Sequence, residues 1–361
     1  MLNNEYYSLK EILKRNAQYN VIIGERSNGK TYSVEERIIK KFFETGEKEQ
    51  GAIIRRWRED FRSKRGKNTF AEFVTNGTIK KLSKGKYNEI TYTNNTWFMT
   101  YREDNKTIDS VPFCFSFALS EMEHDKSTSY PNITTILFDE FLTRSYYLND
   151  EFVIFCNVLS TIIRDRDNVT IFMCGNTVNR YSPYFSELGL TNIKTMKQGD
   201  IDVYTYGNSK LKVAVEYCNP ISSKRHKKSD VYFAFNNPHL QMIKNGKWEI
   251  ANYPHLPFKY KPKDILFMFW CIFGDDIVQG NIITSGNNIF CYLHRKTTNL
   301  KLKDSDIIYD LQSHSEYNRR YSFTKPIDNI DNKIYNLYKS NRFFYQSNEV
   351  GEIINNFVKE R

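Results

Sequence analysis

The sequence has no Cys-x-x-Cys pair: its six cysteines, Cys114, Cys156, Cys174, Cys218, Cys271 and Cys291, lie far apart. That scatter offers neither a zinc site nor a disulfide frame, and with Cys114 and Cys174 inside apolar runs it predicts reduced, buried thiols. Long hydrophobic runs are missing too; the longest, Ile265 to Phe273, is too short to cross a bilayer. The segment Met1 to Tyr7 has no basic stretch followed by an apolar core, so no signal peptide is expected and the chain reads as soluble and intracellular. Internal repeats and low-complexity tracts are absent, which excludes solenoids and disordered tails.

What remains is a long globular chain. At 361 residues and 42.9 kDa it exceeds the size at which one core stops growing, so two domains are expected. Apolar residues make up 40% of the chain, and 26 Phe and 25 Tyr supply more aromatic mass than a disordered chain carries. The net charge of +10 points to an anionic partner, because basic surface attracts polyphosphate and releases its counterions.

The first half alternates strand and helix. Leu9 to Arg15 is a lead-in helix, Tyr19 to Gly24 a short apolar strand, and Lys30 to Phe43 a helix with Val34, Ile38 and Phe42 on its inner face. Gly51 to Trp57, Val111 to Leu119, Ile133 to Phe138 and Val169 to Cys174 are further strands, with a helix over Asp150 to Ile163. This rhythm predicts an α/β fold, a parallel sheet with helices on both faces. Lys67 to Asn95 interrupts it as an inserted hairpin or excursion. The domains expected are 1–204, a basic linker module over 205–244 that contains Lys224 to Lys228, and a strand-rich unit over 245–361 with a helical tail from Asn329 to Lys359.

One motif carries chemistry. G-x-x-x-x-G-K-[ST] matches once, at Gly24-Glu25-Arg26-Ser27-Asn28-Gly29-Lys30-Thr31, directly after the apolar strand Val21-Ile22-Ile23 and at the start of a helix. Glycines let backbone N–H groups curl around phosphates, and the helix N-terminus adds positive potential. The pattern predicts ATP on these eight residues, with Lys30 on the β- and γ-phosphates and the Thr31 hydroxyl on Mg²⁺. A second apolar strand, Ile133 to Phe138, ends in Asp139 and Glu140. Asp139 is expected at the metal and Glu140 at the attacking water. An adjacent glutamate and a further strand between the two motifs resemble the additional-strand branch of P-loop NTPases, which includes helicases, translocases and packaging motors.

Several elements occur together in a fixed order: Gly24 to Thr31, Ser129-Tyr130-Pro131-Asn132 leading into Thr135 to Phe141, Ile163-Arg164-Asp165-Arg166, and Cys174-Gly175-Asn176 followed by Pro183-Tyr184-Phe185. Across residues 1 to 200 this set resembles the DNA-packaging ATPase of phi29-like tailed phages. The resemblance implies a homomeric ring, a pentamer, driving double-stranded DNA into a prohead in the host cytoplasm. The ring would sit at the portal vertex, against the portal, and the resemblance admits a structural packaging RNA as a further partner. It also implies Arg164 as an arginine finger reaching a neighbour's ATP and Lys126 as a second residue acting in trans. Asn176 fits a sensor of the γ-phosphate or the attacking water; a strand-ending turn asparagine is the other reading.

The densest basic stretch of this half runs from Arg55 to Lys67. Arg58, Arg62 and Lys64 are assigned to DNA phosphates, which need cations without sequence selection. Arg55 and Arg56 stay ambiguous between DNA and nucleotide. In the last third Asp275, Asp276, Asp304, Asp306 and Asp310 form no persuasive metal pair, and the strand Ile265 to Phe273 lacks a mid-strand carboxylate. The resemblance points the same way and implies a smaller α+β domain there, RNase H-like in fold but used for docking to portal or RNA. Two other readings remain open, a large terminase with a working nuclease and a P-loop regulatory switch.

Overall fold

The computed structural model describes residues 6–62, 64–104, 106–121, 128–207, 209–220, 242–243, 245–298, 306–311 and 319–359. The chain divides into two compact units, Met1–Glu249 and Ile250–Arg361.

In the first unit the order is α1 (Lys10–Leu13), β1 (Tyr19–Gly24), α2 (Lys30–Glu44), β2 (Gln50–Arg55), α3 (Lys64–Asn68), α4 (Ala71–Thr75), α5 (Thr78–Leu82), β3 (Glu89–Thr93), β4 (Thr96–Glu103) and β5 (Lys106–Ala118). It continues with β6 (Ile133–Asp139), α6 (Glu151–Ile163), β7 (Thr170–Asn176), α7 (Pro183–Glu187), β8 (Ile201–Thr205) and β9 (Lys212–Tyr217). Nine strands form one sheet in the order β3-β4-β5-β2-β6-β7-β1-β9-β8. The strands from β5 to β9 in that order run parallel, while β3, β4 and β8 add antiparallel edges, so the sheet is mixed. The excursion expected over Lys67 to Asn95 takes in the end of α3, the short helices α4 and α5, and then β3, which pairs with β4 as a hairpin that extends the sheet edge.

Central strands read as near-continuous apolar runs because both faces are covered. Alternation along them separates two cores. Val21, Ile23, Ile54, Ile136 and Phe138 share one with Phe155, Val158 and Ile162 of α6. Ile22, Ile53, Leu137 and Phe172 share the other with Val34, Ile38 and Phe42 of α2. The two helices therefore lie on opposite faces, and both loops that carry chemistry emerge at the carboxyl edge of the sheet.

β9 comes from the stretch read as a linker, yet it pairs with β1 from Tyr19↔Val213 to Ile23↔Tyr217. Val213, Ala214 and Val215 are buried in the sheet, so this part of the expected linker belongs to the first unit, which runs to Glu249, close to the expected start of the last domain at 245. Residues 221–241, the middle of the expected basic module, lie outside the described residues.

The second unit holds β10 (Ile265–Phe273), β11 (Asp276–Ser285), β12 (Asn288–Arg295), β13 (Ile307–Asp310), β14 (Arg319–Arg320) and β15 (Phe343–Tyr345), in the sheet order β14-β13-β10-β11-β12-β15. β10, β11 and β12 are antiparallel neighbours, and β13 joins β10 in parallel. The expected helical tail is two helices, Asn329–Lys339 and Asn348–Lys359, parted by β15, whose Phe343 and Tyr345 are buried. Among the described residues no helix is long and apolar enough to cross a membrane.

Candidate functional site

Residues 24–29 link a buried strand to a helix N-terminus. Gly29 precedes α2 at φ +90°, a conformation that any side chain would strain, so the motif's second glycine is required here. The turn sets the first helical turn at the edge of a cavity of about 1070 Å³, lined also by Asp139, Glu140 and Asn176. Lys30 is buried, and its Nζ donates to Glu25 O at 2.6 Å, Asn28 Oδ1 at 3.1 Å and Asn176 Oδ1 at 3.4 Å. Burial pulls the Lys30 ammonium below its ordinary pKa, with Asp139 and Glu25 pulling the other way. A cation so placed, with only oxygen dipoles for partners, favours an arriving anion.

Strand pairing delivers the second half of the site. β7 lies between β1 and β6, with Gly24 opposite Asn176 and Cys174 opposite Asp139. The Thr31 hydroxyl donates to Asp139 Oδ1 at 2.7 Å, and Arg55 Nη2 donates to Asp139 Oδ2 at 2.7 Å. Burial disfavours the Arg55 charge, but Asp139 and Glu140 more than offset this and hold its pKa above the usual guanidinium value. Thr31 and Asp139 present hard oxygen donors side by side. Mg²⁺ in nucleotide sites takes one or two such oxygens and completes its octahedron with phosphates and water, so the donor set fits. Glu140, one residue on, is exposed at φ +57°, its carboxylate free of the sheet.

The residue after Arg55 goes elsewhere. Arg56 is buried, and it meets Glu151 with two hydrogen bonds, Nε to Oε2 at 2.6 Å and Nη2 to Oε1 at 2.8 Å. Its Nη2 also donates to Phe141 O at 2.8 Å, directly after Glu140, and Tyr184 donates to Glu151 at 2.8 Å. Residue-level reading of the sequence left Arg56 unassigned and missed Glu151. The signal that finds them is the period of two, which sends Ile54 and Arg56 toward the α6 face and Ile53 and Arg55 toward α2.

Glu35, one helical turn beyond Thr31, is another buried carboxyl that sequence reasoning missed. Burial and then Asp139 raise its pKa well above the usual carboxylate range, against the pull of Arg55. Because the folded pKa is the higher one, this group's stabilising effect is complete below the unfolded pKa and is lost as pH rises through the folded value. Glu35→Gln is expected to remove that loss. Its urea midpoint should exceed wild type at pH 8 and match it near pH 4; equal midpoints at both pH values would refute the assignment.

Arg164 closes α6 at φ 52° and is exposed, with Nη2 donating to Thr128 O at 3.2 Å. Arg166, not Arg164, holds the helix end, donating to Ile162 O at 2.7 Å and Tyr130 O at 3.0 Å. These contacts precede β6, whereas Asp139 ends it, so Arg164 lies about 20 Å from the phosphate site at the strand's rise per residue. Lys126 lies outside the described residues. Arg58 and Arg62 are exposed and pair with Glu121 and Glu59, and Lys64 is exposed at the start of α3.

A glycine loop between strand and helix, two carboxylates at a strand tip, and one strand inserted between them give a mixed α/β domain with the layout of a P-loop protein. The chain belongs to the podovirus DNA encapsidation protein (Gp16) family, whose model matches residues 1–229. It is 29% identical over 176 residues to a DNA packaging protein of Bacillus phage B103, covering 47% of this chain and 48% of that protein. To the DNA packaging protein of Bacillus phage phi29 it is 26% identical over 183 residues, 50% of this chain and 49% of that one. The chain thus spans about half the length of the curated relatives it matches. Two solved structures share the fold. One, described as the Phi-28 gp11 DNA packaging motor, aligns with TM-score 0.54 at 18% identity over 99% of this chain and 98% of that one. The other, from the bacteriophage Phi-29 viral genome packaging motor assembly, aligns with TM-score 0.55 at 18% identity over 99% and 100%.

Proposed function

We propose that this chain is the ATPase of a viral DNA-packaging motor, coupling ATP hydrolysis to translocation of double-stranded DNA into a prohead. The observation that carries the reading is the convergence of Lys30, Thr31, Asp139 and Asn176 from three elements onto one cavity. Membership of the encapsidation family supports the substrate, and the shared fold with packaging-motor proteins supports the architecture.

In this reading the amides of Gly24 to Lys30 seat the triphosphate, and the Lys30 ammonium exchanges its oxygen partners for the β- and γ-phosphates. Thr31 and Asp139 would hold Mg²⁺, which would supply positive charge to the phosphoryl oxygens. Glu140 takes a proton from the attacking water, and Asn176, hydrogen-bonded to Lys30, orients that water or the γ-phosphate. Arg164, remote from its own site, acts on a neighbour in a homo-oligomeric ring, a pentamer as in the family resemblance. Arg58, Arg62 and Lys64 face the DNA phosphates, and the ring sits at the portal vertex of a prohead in the host cytoplasm, with portal and packaging RNA as partners.

The second unit is the docking domain. Its order β12-β11-β10-β13-β14, with the first three antiparallel and the last two parallel, supports an RNase H-like fold. A working nuclease of that kind needs clustered carboxylates for two metals. Here Asp276 is paired with Arg295 and Asp331 with Arg320, and no metal-holding group of three acids, His or Cys forms among the described residues.

Mixing wild type with Arg164→Ala tests the reading. DNA-stimulated phosphate release is expected to fall more steeply than the mutant fraction rises, because each inactive finger silences its neighbour's site and, with firing passed around the ring, one silent site stalls the rest. A loss linear in that fraction would sink the coordinated ring mechanism.

A further inference from the structure

The end of the first unit is tied to the phosphate site. Glu249, its last residue, has a side chain only 5% exposed, and its Oε1 lies 3.7 Å from Arg26 Nη2 while its Oε2 lies 3.3 Å from Arg144 Nη1. The segment before it is pinned on three sides. Glu249 N donates to Thr177 O at 3.0 Å, directly after Asn176, the Tyr217 hydroxyl donates to Gly246 O at 2.9 Å, and Gln198 donates to Asn245 O at 2.8 Å. Gly246 sits so close to the glycine loop that a β-carbon there would come within 2.8 Å of Glu25 Cβ, and its φ of +60° also favours glycine.

Both arginines line a second cavity, of about 450 Å³, together with Asp139, Glu140 and Asn176. This is the side of the glycine loop where hydrolysis takes place in the proposed mechanism. Arg26 is 57% exposed and its contact with Glu249 is long, so the pair is easily exchanged for a stronger anion. The shorter contact keeps Arg144 in place.

We propose that Glu249 is a positioning residue for the nucleotide site: it parks Arg26 and Arg144 beside the hydrolytic carboxylates and releases Arg26 to the γ-phosphate of ATP. The inference rests on the reading of the cavity as an ATP site. A carboxylate competing for a cation weakens binding only of the ligand that needs that cation. ADP, which has no γ-phosphate, does not pay this penalty. Release also loosens the hydrogen-bonded strap of residues 245–249, so the identity of the bound nucleotide is written into the backbone that leads out of the first unit.

The test is equilibrium binding of ATPγS and ADP to the full chain. Glu249→Gln is expected to raise the preference for ATPγS over ADP by roughly three- to fivefold, the range set by an exchangeable surface ion pair. In an Arg26→Ala background the same substitution should leave the preference unchanged. An unaltered preference in the single variant, or an equal gain without Arg26, overturns the proposal. Amide exchange in the wild type gives an independent measure, since the Glu249 N–H should exchange faster with ATPγS than with ADP, and equal rates overturn the proposal as well. If the wild type binds neither nucleotide, the reading of the cavity itself fails.

Discussion

Glu140→Gln is expected to bind ATP with wild-type affinity and to hydrolyse it roughly 10²- to 10⁴-fold more slowly, the usual worth of a positioned general base. The substitution removes basicity and little else. Glutamine has the same shape, meets the same cost at φ +57°, and leaves Thr31, Lys30 and Asp139 untouched. Binding depends on those residues and on the loop amides, whereas cleavage needs a group to accept the proton of water. Filter binding with labelled ATP beside single-turnover phosphate release separates the two quantities. Hydrolysis within about threefold of wild type would reassign the base.

Arg56→Ala should cost about 3–5 kcal/mol of stability, because it leaves the Glu151 carboxylate buried beside Tyr184 with its countercharge gone. Arg56 and Glu151 are 6% and 3% exposed, so solvent screens them little. The Leu148 N–H, which donates to Glu151 at 2.7 Å, is too weak a partner to replace a guanidinium. Replacing both charges, Arg56→Met with Glu151→Leu, should recover much of the loss, since a paired deletion strands neither partner. Urea unfolding of the four proteins closes the cycle. A single-mutant loss below about 1 kcal/mol would show that water reaches the pair. Phosphate release by Arg56→Ala should fall in kcat more than in KM, because the carbonyl of Phe141 loses the donor that fixes the loop after Glu140.

The P-loop is legible because its demands are local. A left-handed glycine, an ammonium and a hydroxyl must occur at fixed spacing at a strand-to-helix junction, and Gly29, Lys30 and Thr31 do so. The strand ending in Asp139 and Glu140 is equally plain, since a charged pair after six apolar-rich residues can lie only where a buried strand surfaces. Side-chain fate at the end of β2 is harder. Arg55 and Arg56 look alike in a basic run, and their opposite destinations depend on Asp139 and Glu151, more than eighty residues away. β9 was hidden because Val213 to Tyr217 is short and bordered by lysines and polar turns, and its pairing with β1 spans nearly two hundred residues. In the second unit β13 and β14 have four and two residues, too few for periodicity to register.

The end of β2 has one more property. Arg55 grips the carboxylate proposed for the metal, Arg56 grips the loop after Glu140, the carboxylate proposed for hydrolysis, and Trp57 begins the exposed basic segment, with no spare residue between them. A chain clamped at two successive positions has no slack to absorb a tug. In the proposed function a pull on Arg58 reaches Arg56 across Trp57 alone, which makes this strand end a stiff crank between load and fuel.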